Sequence, residues 1–394
     1  MSDLSYDPYD VDIDLDPYPT WKRMRDEAPL YYNEQYDFYA VSRYEDCEKG
    51  LADARRYISG RGGILEIIKS GIELPPGTLI FEDPPVHTIH RSLLSRVFTP
   101  RRVSALEPKM REFCAQSLDP LVDSGSFDFI TNLGAQMPVK VISMLFGIPD
   151  EDHDSVRQHT DARLRTEPGQ PMEITEAPSF GSEMFEEYID WRIDHPSDDL
   201  MTELLHTEFE DETGTTRTLT RDEALLYTTV VAGAGSETTT RLIGWAGKLL
   251  AEHPDQRREI VEDRSLINNA IEELLRYEAP GPQIGRYMPE DVELYGETVT
   301  AGSTMMFIIG GGNRDERHFE DPDRFDIHRT IDKHLTFGYG IHFCLGASLA
   351  RLEGRVALDE VLKRFPEWEI DWDGAKFART STMRGYESLP AIVP

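Results

Sequence analysis

Apolar positions recur every three or four residues through the middle of the chain, from Pro85 to about Pro280. Segments such as VSALEPKMREFCAQSLDPLV and FGSEMFEEYIDWRI carry this spacing, which predicts helices. The texture changes toward both ends. FYAVSRY near the start and YGETVTAGSTMMFIIGGGN beyond Leu294 alternate and carry β-branched residues, so they predict strands. GASLARLEGRVALDEVLKRFP returns to helical spacing and is ended by Pro366, and the tail MRGYESLPAIVP reads as extended. A short helix, YPTWKRMRDEAP, precedes the first strand material, and SGRGGILEIIKSGIELPPGT reads as a long loop of the kind that is often functional. With no internal repeat and no low-complexity linker, the pattern predicts a mainly α (α+β) single domain over residues 1–394. Small β regions are expected within 1–62 and 285–394, and a mainly helical stretch over 85–280.

One predicted helix is unusual. Thr220 and Glu223 have the spacing of a capping box and Pro254 bounds the far end. The span between them would make a helix of roughly 50 Å at the standard rise. Its middle, VVAGAGSETTTR, is a poor helix former: Gly233 and Gly235 each cost about 1 kcal/mol relative to alanine. Thr238, Thr239 and Thr240 can bond back onto the preceding turn and bend it. Two readings stand side by side. The glycines could serve tight helix packing, with Glu237 on a solvated face. Alternatively, an opened turn carrying an acid and an alcohol, Glu237 and Thr238, is suited to relaying protons.

Composition narrows the field. The chain has 394 residues, 39% of them hydrophobic, with a formal net charge of -32. That is enough apolar material for a core, and the acidic balance argues against nucleic acid and against an anionic membrane surface. The N-terminus is acidic with no apolar core, and no apolar run approaches the ~20 residues of a membrane span. A cytoplasmic protein without membrane anchors is the expectation. Cys47, Cys114 and Cys344 form neither a disulfide framework nor a zinc pattern. Such usage fits a reducing compartment.

Cys344 stands apart from the other two, which read as buried structural thiols. It lies in FGYGIHFCLGASLAR, after glycines that open unusual backbone angles and just before a strong helix. A helix N-terminus favours a thiolate. A single thiolate without a cysteine or histidine partner builds no zinc or iron–sulfur site, but it can supply the one proximal bond to a haem iron.

The segment resembles the haem-binding loop of the cytochrome P-450 superfamily, with Phe337, Gly338, Gly340, His342, Cys344, Gly346 and Ala350 matching. Four further motifs follow the family order along nearly the whole chain. EELLR resembles the Glu-x-x-Arg motif as Glu273 and Arg276, with Arg324 of DPDRFD expected to complete a buried charge network. DPPVHTIHRSLLSRVFTP resembles the helix that contacts the haem propionates through His87 and Arg91, with Arg286 and His342 as further contacts; His90 lies off the pattern and reads as surface. AGSETT resembles the oxygen-activation motif, so Ala234 and Gly235 would border haem and oxygen while Glu237 and Thr238 form the proton relay. The sequence departs from the family habit at Glu316, where proline is common, and at Tyr287 and Met288.

The resemblance implies an α-rich triangular prism with small β-sheets, haem b held between the long helix and the helix after the cysteine loop, and Cys344 as the metal ligand. It implies a haem-thiolate monooxygenase that hydroxylates a C–H bond of a lipophilic small molecule with O2. Electrons would come from a ferredoxin and its NAD(P)H-dependent reductase, docking near Arg101, Arg102 or Arg351; the protein would act as a monomer, with no nucleic-acid or membrane partner. A peroxygenase or another haem-thiolate reductase, and a non-enzymatic haem sensor, are the alternatives. The substrate pocket is expected to be lined by Ile64, Ile80, Val230, Ala234, Pro282 and Ile284 and by the region from Met172 to Met184.

Overall fold

Thr220 starts the long helix as its spacing predicts. Its hydroxyl accepts from the Glu223 N–H, and the Glu223 carboxylate accepts from the Thr220 N–H at 2.7 Å. In the computed structural model this helix, here α3, runs Arg221–Glu252, 32 residues, and only His253 separates its end from Pro254. The structure describes residues 4–75, 77–153, 155–156, 166–174, 182–378, 380 and 382–394.

Most of α3 is buried, because helices cover it on several sides. It packs on α2 (Met137–Phe146), α4 (Ile267–Tyr277), α5 (Ala347–Arg364) and a π-helical turn, Phe129–Gly134. A Cβ on Gly247 would lie 2.6 Å from the Phe129 ring, so this helix and turn can approach so closely only with glycine there. Trp368, fully buried, donates its indole N–H to the Gly247 carbonyl at 2.9 Å and closes the same contact. The stretch Phe129–Phe146 is apolar and long enough to cross a membrane by composition, yet most of it is buried in this packing.

Strands gather in small sheets. The largest has the order β1 (Tyr31–Asn33), β2 (Phe38–Val41), β5 (Thr304–Phe307), β4 (Ile284–Tyr287). Here β2 and β5 are parallel, pairing residues far apart in sequence, and β4 is antiparallel to β5 with Arg286 opposite Met305. A second sheet joins β6 (Glu369–Ile370) and β3 (Ser126–Asp128) through β7 (Pro390–Ile392).

Two local expectations are corrected, and a third lies partly outside the described residues. The glycine-rich loop contains a helix, Leu65–Ser70, whose Leu65, Ile67 and Ile68 are buried. The span 85–280 holds strands, β3 and the hairpin Phe209–Glu210 with Thr216–Arg217, too short for alternation to show in sequence. Of the region Met172 to Met184, residues 175–181 lie outside the described residues; Met172 itself sits against Glu66, whose carboxylate accepts its N–H at 3.2 Å.

Glu316 is accounted for by the N-terminal helix Tyr18–Glu27. It pairs with Lys22 at 2.9 Å and with buried Arg25 at 3.3 Å, stitching residues nearly 300 apart.

Candidate active site

The cysteine loop is a tight backbone device. Gly338 and Gly340 have φ of 68° and 71°, in the left-handed region open to glycine. They let the chain fold back so that the Cys344 N–H donates to the Phe337 carbonyl at 2.8 Å. Helix α5 begins at Ala347, so the thiol lies just outside its first turn. The side chain of Cys344 is accessible yet lies deep within the molecule. Burial pushes its pKa up, while the Gly346 N–H and the guanidinium groups of Arg91 and Arg351 pull it down. On the other face of the loop, Arg351 stacks over the Phe337 ring at 4.4 Å and is held by Glu272 at 2.6 Å.

Beside the thiol lies a cluster of cationic and hydrogen-bonding groups that, among the described residues, no acid pairs with. Helix α1 (Val86–Ser95) brings His87 and Arg91, β4 brings Arg286, and the cysteine loop brings His342. The His87 and His342 rings are 4.1 Å apart. Among the described residues neither ring nitrogen of His87 has a partner, and Nε2 of His342 has none. Arg286, buried, donates to its neighbour's carbonyl, Gly285, at 2.8 Å. Burial lowers its pKa to about 10, with only a distant pull from Asp83. Asp83 is itself committed to the N–H groups of Ser59 and Gly60, both at 2.8 Å. Burial, then Arg286, His87 and Arg91, push His342 down to about 3, so it stays neutral. A buried cation without a counter-charge is costly, so this arrangement calls for an anion.

Across α3 the three threonines take different partners. Thr238 donates to the Ala234 carbonyl at 2.8 Å, Thr239 to Glu353 on α5 at 3.1 Å, and Thr240 to the Gly134 carbonyl at 2.6 Å. Ala234 is exposed and Thr238 partly so, four residues apart on one face of an otherwise buried helix. Space also surrounds the position a Cβ on Gly233 would take, whereas one on Gly235 would meet Ile142 of α2 at 3.0 Å. The absence of a side chain at Gly235 therefore serves the close approach of α2. Glu237 is buried and ion-paired with Arg241, whose other end donates to the Tyr386 carbonyl. It does not lie on a solvated side.

The comparisons with known proteins agree with this geometry. The family description Cytochrome P450 matches residues 180–381. A Mycobacterium tuberculosis protein named putative cytochrome P450 123 is 37% identical over 99% of this chain and 97% of its own. The chain belongs to the cytochrome P450 family. The Streptomyces venezuelae monooxygenase PikC is 34% identical, covering 96% of this chain and 91% of its own. Among solved structures, a mutant of P450 EryK in complex with erythromycin B superposes with a TM-score of 0.86 at 31% identity, covering 96% of each chain. The P450 fold and an oxidoreductase of this monooxygenase kind follow.

Haem and O2 are what this family uses, and the residues present fit the group. A buried arginine and two histidines with free ring nitrogens are the donor set two propionate carboxylates require. Cys344 offers the one soft ligand, steadied by a backbone N–H.

Other expectations are redrawn. Arg324 does not complete the charge network: its side chain is 63% exposed and pairs with Asp321 and Asp326. Glu273 and Arg276, fully buried and bidentate at 2.7 and 2.8 Å, are joined instead by Arg329 at 3.2 Å. His90 is buried and bound to Glu82, not on the surface. Pro282 lies against Gly310 and Trp21, within the N-terminal sheet cluster, and Val230 is buried; Ile284 does reach the cysteine loop, 3.6 Å from where a Cβ on Gly338 would be. Ile64 neighbours Tyr9 and Gln283, while Ile80 is 43% exposed.

Glu353 is a functional candidate that the motifs did not mark. It occupies the buried stripe Leu349, Leu352, Val356 of α5, where an acid is out of place, and that misplacement was the available signal. Burial raises its pKa to about 8, offset in part by the Thr239 hydroxyl. Its folded pKa lies above the ordinary carboxylate value, so the folded state holds a proton the unfolded state releases. Stability is therefore greatest below about pH 4.5 and falls through this group as pH rises toward 8, by up to ~1.4 kcal/mol per pH unit. Glu353→Gln should abolish that slope, so the variant gains stability on the parent between pH 5 and 8 in urea titrations. Parallel profiles would show that Glu353 is ionised throughout.

Proposed function

We propose that this P450 is a haem-thiolate monooxygenase that places one oxygen atom of O2 into a C–H bond of a lipophilic small molecule. It would work as a single-domain monomer in the cytoplasm, with electrons from a ferredoxin and its NAD(P)H-dependent reductase. The observation that carries the reading is the accessible thiol of Cys344 beside an uncompensated buried Arg286–His87–His342 cluster, with the Ala234–Thr238 face of α3 as the open part of that helix. Bound haem b would supply the oxidising chemistry, with the Cys344 thiolate as the group that would hold its iron. Arg286, His87, His342 and Arg91 would hold its carboxylates. Thr238, by turning its hydroxyl from the Ala234 carbonyl, would hold and hand over a proton at the oxygen site. Glu237 would stand behind it as the charged end of the relay, fixed by Arg241.

Relatives named 6-deoxyerythronolide B hydroxylase and P450 monooxygenase PikC, and the separate solved neighbour P450 EryK in complex with erythromycin B, support a lipophilic substrate class. Three free thiols fit a reducing compartment. Of the three arginines expected to receive a ferredoxin, Arg102 pairs with Glu203 and Arg351 with Glu272, which leaves exposed Arg101 as the strongest candidate.

Thr238→Ala tests the reading. With a library compound that shifts the haem spin state, product per reduced cofactor should fall several-fold and hydrogen peroxide release should rise by the balance. Unchanged coupling removes Thr238 from the relay. Peroxide-driven turnover faster than ferredoxin-driven turnover overturns the monooxygenase assignment in favour of a peroxygenase.

A further inference from the structure

Glu82 is a buried acid that the site does not use, and it sits where four parts of the molecule meet. Both carboxylate oxygens lie 3.0 Å from Nδ1 of His90 on α1. The Tyr227 hydroxyl of α3 donates to them at 3.2 and 3.3 Å, and the Gly77 N–H at 3.0 Å. The backbone of Glu82 also lies against the His342 ring of the cysteine loop.

These bonds hold down a short loop, residues 77–81. At its start Gly77 lies directly on α3: a Cβ there would stand 3.0 Å from Glu223 Cα, and φ is +99°. Thr78, Leu79 and Phe81 are buried, while Ile80 is the exposed side chain. The loop thus covers the first turns of the helix whose next turns carry Ala234 and Thr238, and it runs straight into the helix bearing His87. A buried carboxylate cannot be left short of donors cheaply. Displacing the loop from α3 must therefore break the Tyr227 bonds if Glu82 moves with it, or the Gly77 bond if Glu82 stays behind.

We propose that Glu82, His90 and Tyr227 are positioning residues that latch loop 77–81 onto α3 and so set how bulky a molecule reaches the Ala234–Thr238 face. The inference rests on the haem-enzyme reading for the location of that face, and not on the identity of the substrate. The latch accounts for the burial of His90. Its ring meets Tyr227 edge-on at 5.4 Å and Phe209 at 5.7 Å, so the imidazole fills an aromatic niche while Nδ1 meets the acid.

The test uses two azole probes of different size on the haem-loaded protein, followed by the Soret shift on rapid mixing. Tyr227→Phe removes one bond and keeps the ring; Glu82→Gln keeps the shape and removes the charge. The association rate of clotrimazole should rise at least about tenfold in each, the lower end of what one lost bond to a charged group is worth, while that of imidazole stays within about twofold. Amide exchange at residues 77–81 should accelerate in the same variants, with CO binding to the reduced protein retained. Equal changes for both probes, or no change for clotrimazole, overturn the latch. If imidazole gives no shift in the parent protein, the haem reading fails, and exchange at 77–81 still decides the latch: unaltered protection in Tyr227→Phe disproves it.

Discussion

Exchange of Glu273 for glutamine is expected to cost about 3–5 kcal/mol of stability, the range seen when one partner of a buried ion pair is removed. Glu273 and Arg276 have no exposed surface, and Glu273 also receives Arg329 and the Asp326 N–H. The amide would leave two guanidinium groups without a full charge in a region closed to water. Arg276 also holds the Asn313 and Pro322 carbonyls, each at 2.9 Å, so the loop before Cys344 should loosen with it. Urea unfolding followed by far-ultraviolet circular dichroism and Soret absorbance should show both losses. Arg324→Ala, by contrast, should change stability by less than about 1 kcal/mol, as an exposed pair predicts. Equal effects at positions 324 and 273 would return Arg324 to the network.

Arg286→Leu should act in opposite directions on the two forms of the protein. Without haem, removing a buried cation that has no ion-pair partner among the described residues should raise stability, since among them its hydrogen bond is to the Gly285 carbonyl and its pKa is already depressed to about 10 by burial. With haem, the lost charge-assisted bond to a carboxylate should weaken retention by a factor of roughly 10 to 150, from about 1.5–3 kcal/mol. Thermal unfolding of the haem-free protein and haem transfer to apomyoglobin measure the two arms. A fall in both would mean that Arg286 is tied into the fold by something other than the missing anion.

Much of the molecule was open to reading in the chain. The capping box and Pro254 marked both ends of α3 closely, because caps are local chemistry. The cysteine loop was legible because its glycines, thiol and following helix are contiguous. Arg324 and Arg329 were not separable in this way: they stand five residues apart in one charge-rich segment, yet the Arg324 side chain is 63% exposed while that of Arg329 is 9% exposed and reaches Glu273. His90 carried a legible signal of burial, since it shares its helix face with buried Leu93 and Leu94. Glu237 carried one too, standing four residues before Arg241 on a helix, the spacing of an ion pair.

The sequence by itself determined the helical architecture, the Cys344 loop and the weak point in α3, because each depends on residues within a few turns of one another, and the family, because its motifs follow one order along the chain. Only the tertiary structure decided which arginine neutralises Glu273, that Gly235 faces Ile142 while Ala234 and Thr238 keep an open face, and that Glu82, His90 and Tyr227 meet. Those outcomes depend on which side chains share a buried space across chain separations of up to 145 residues, as between Glu82 and Tyr227. Burial decides them, since it makes an unpaired charge expensive and so forces distant partners together.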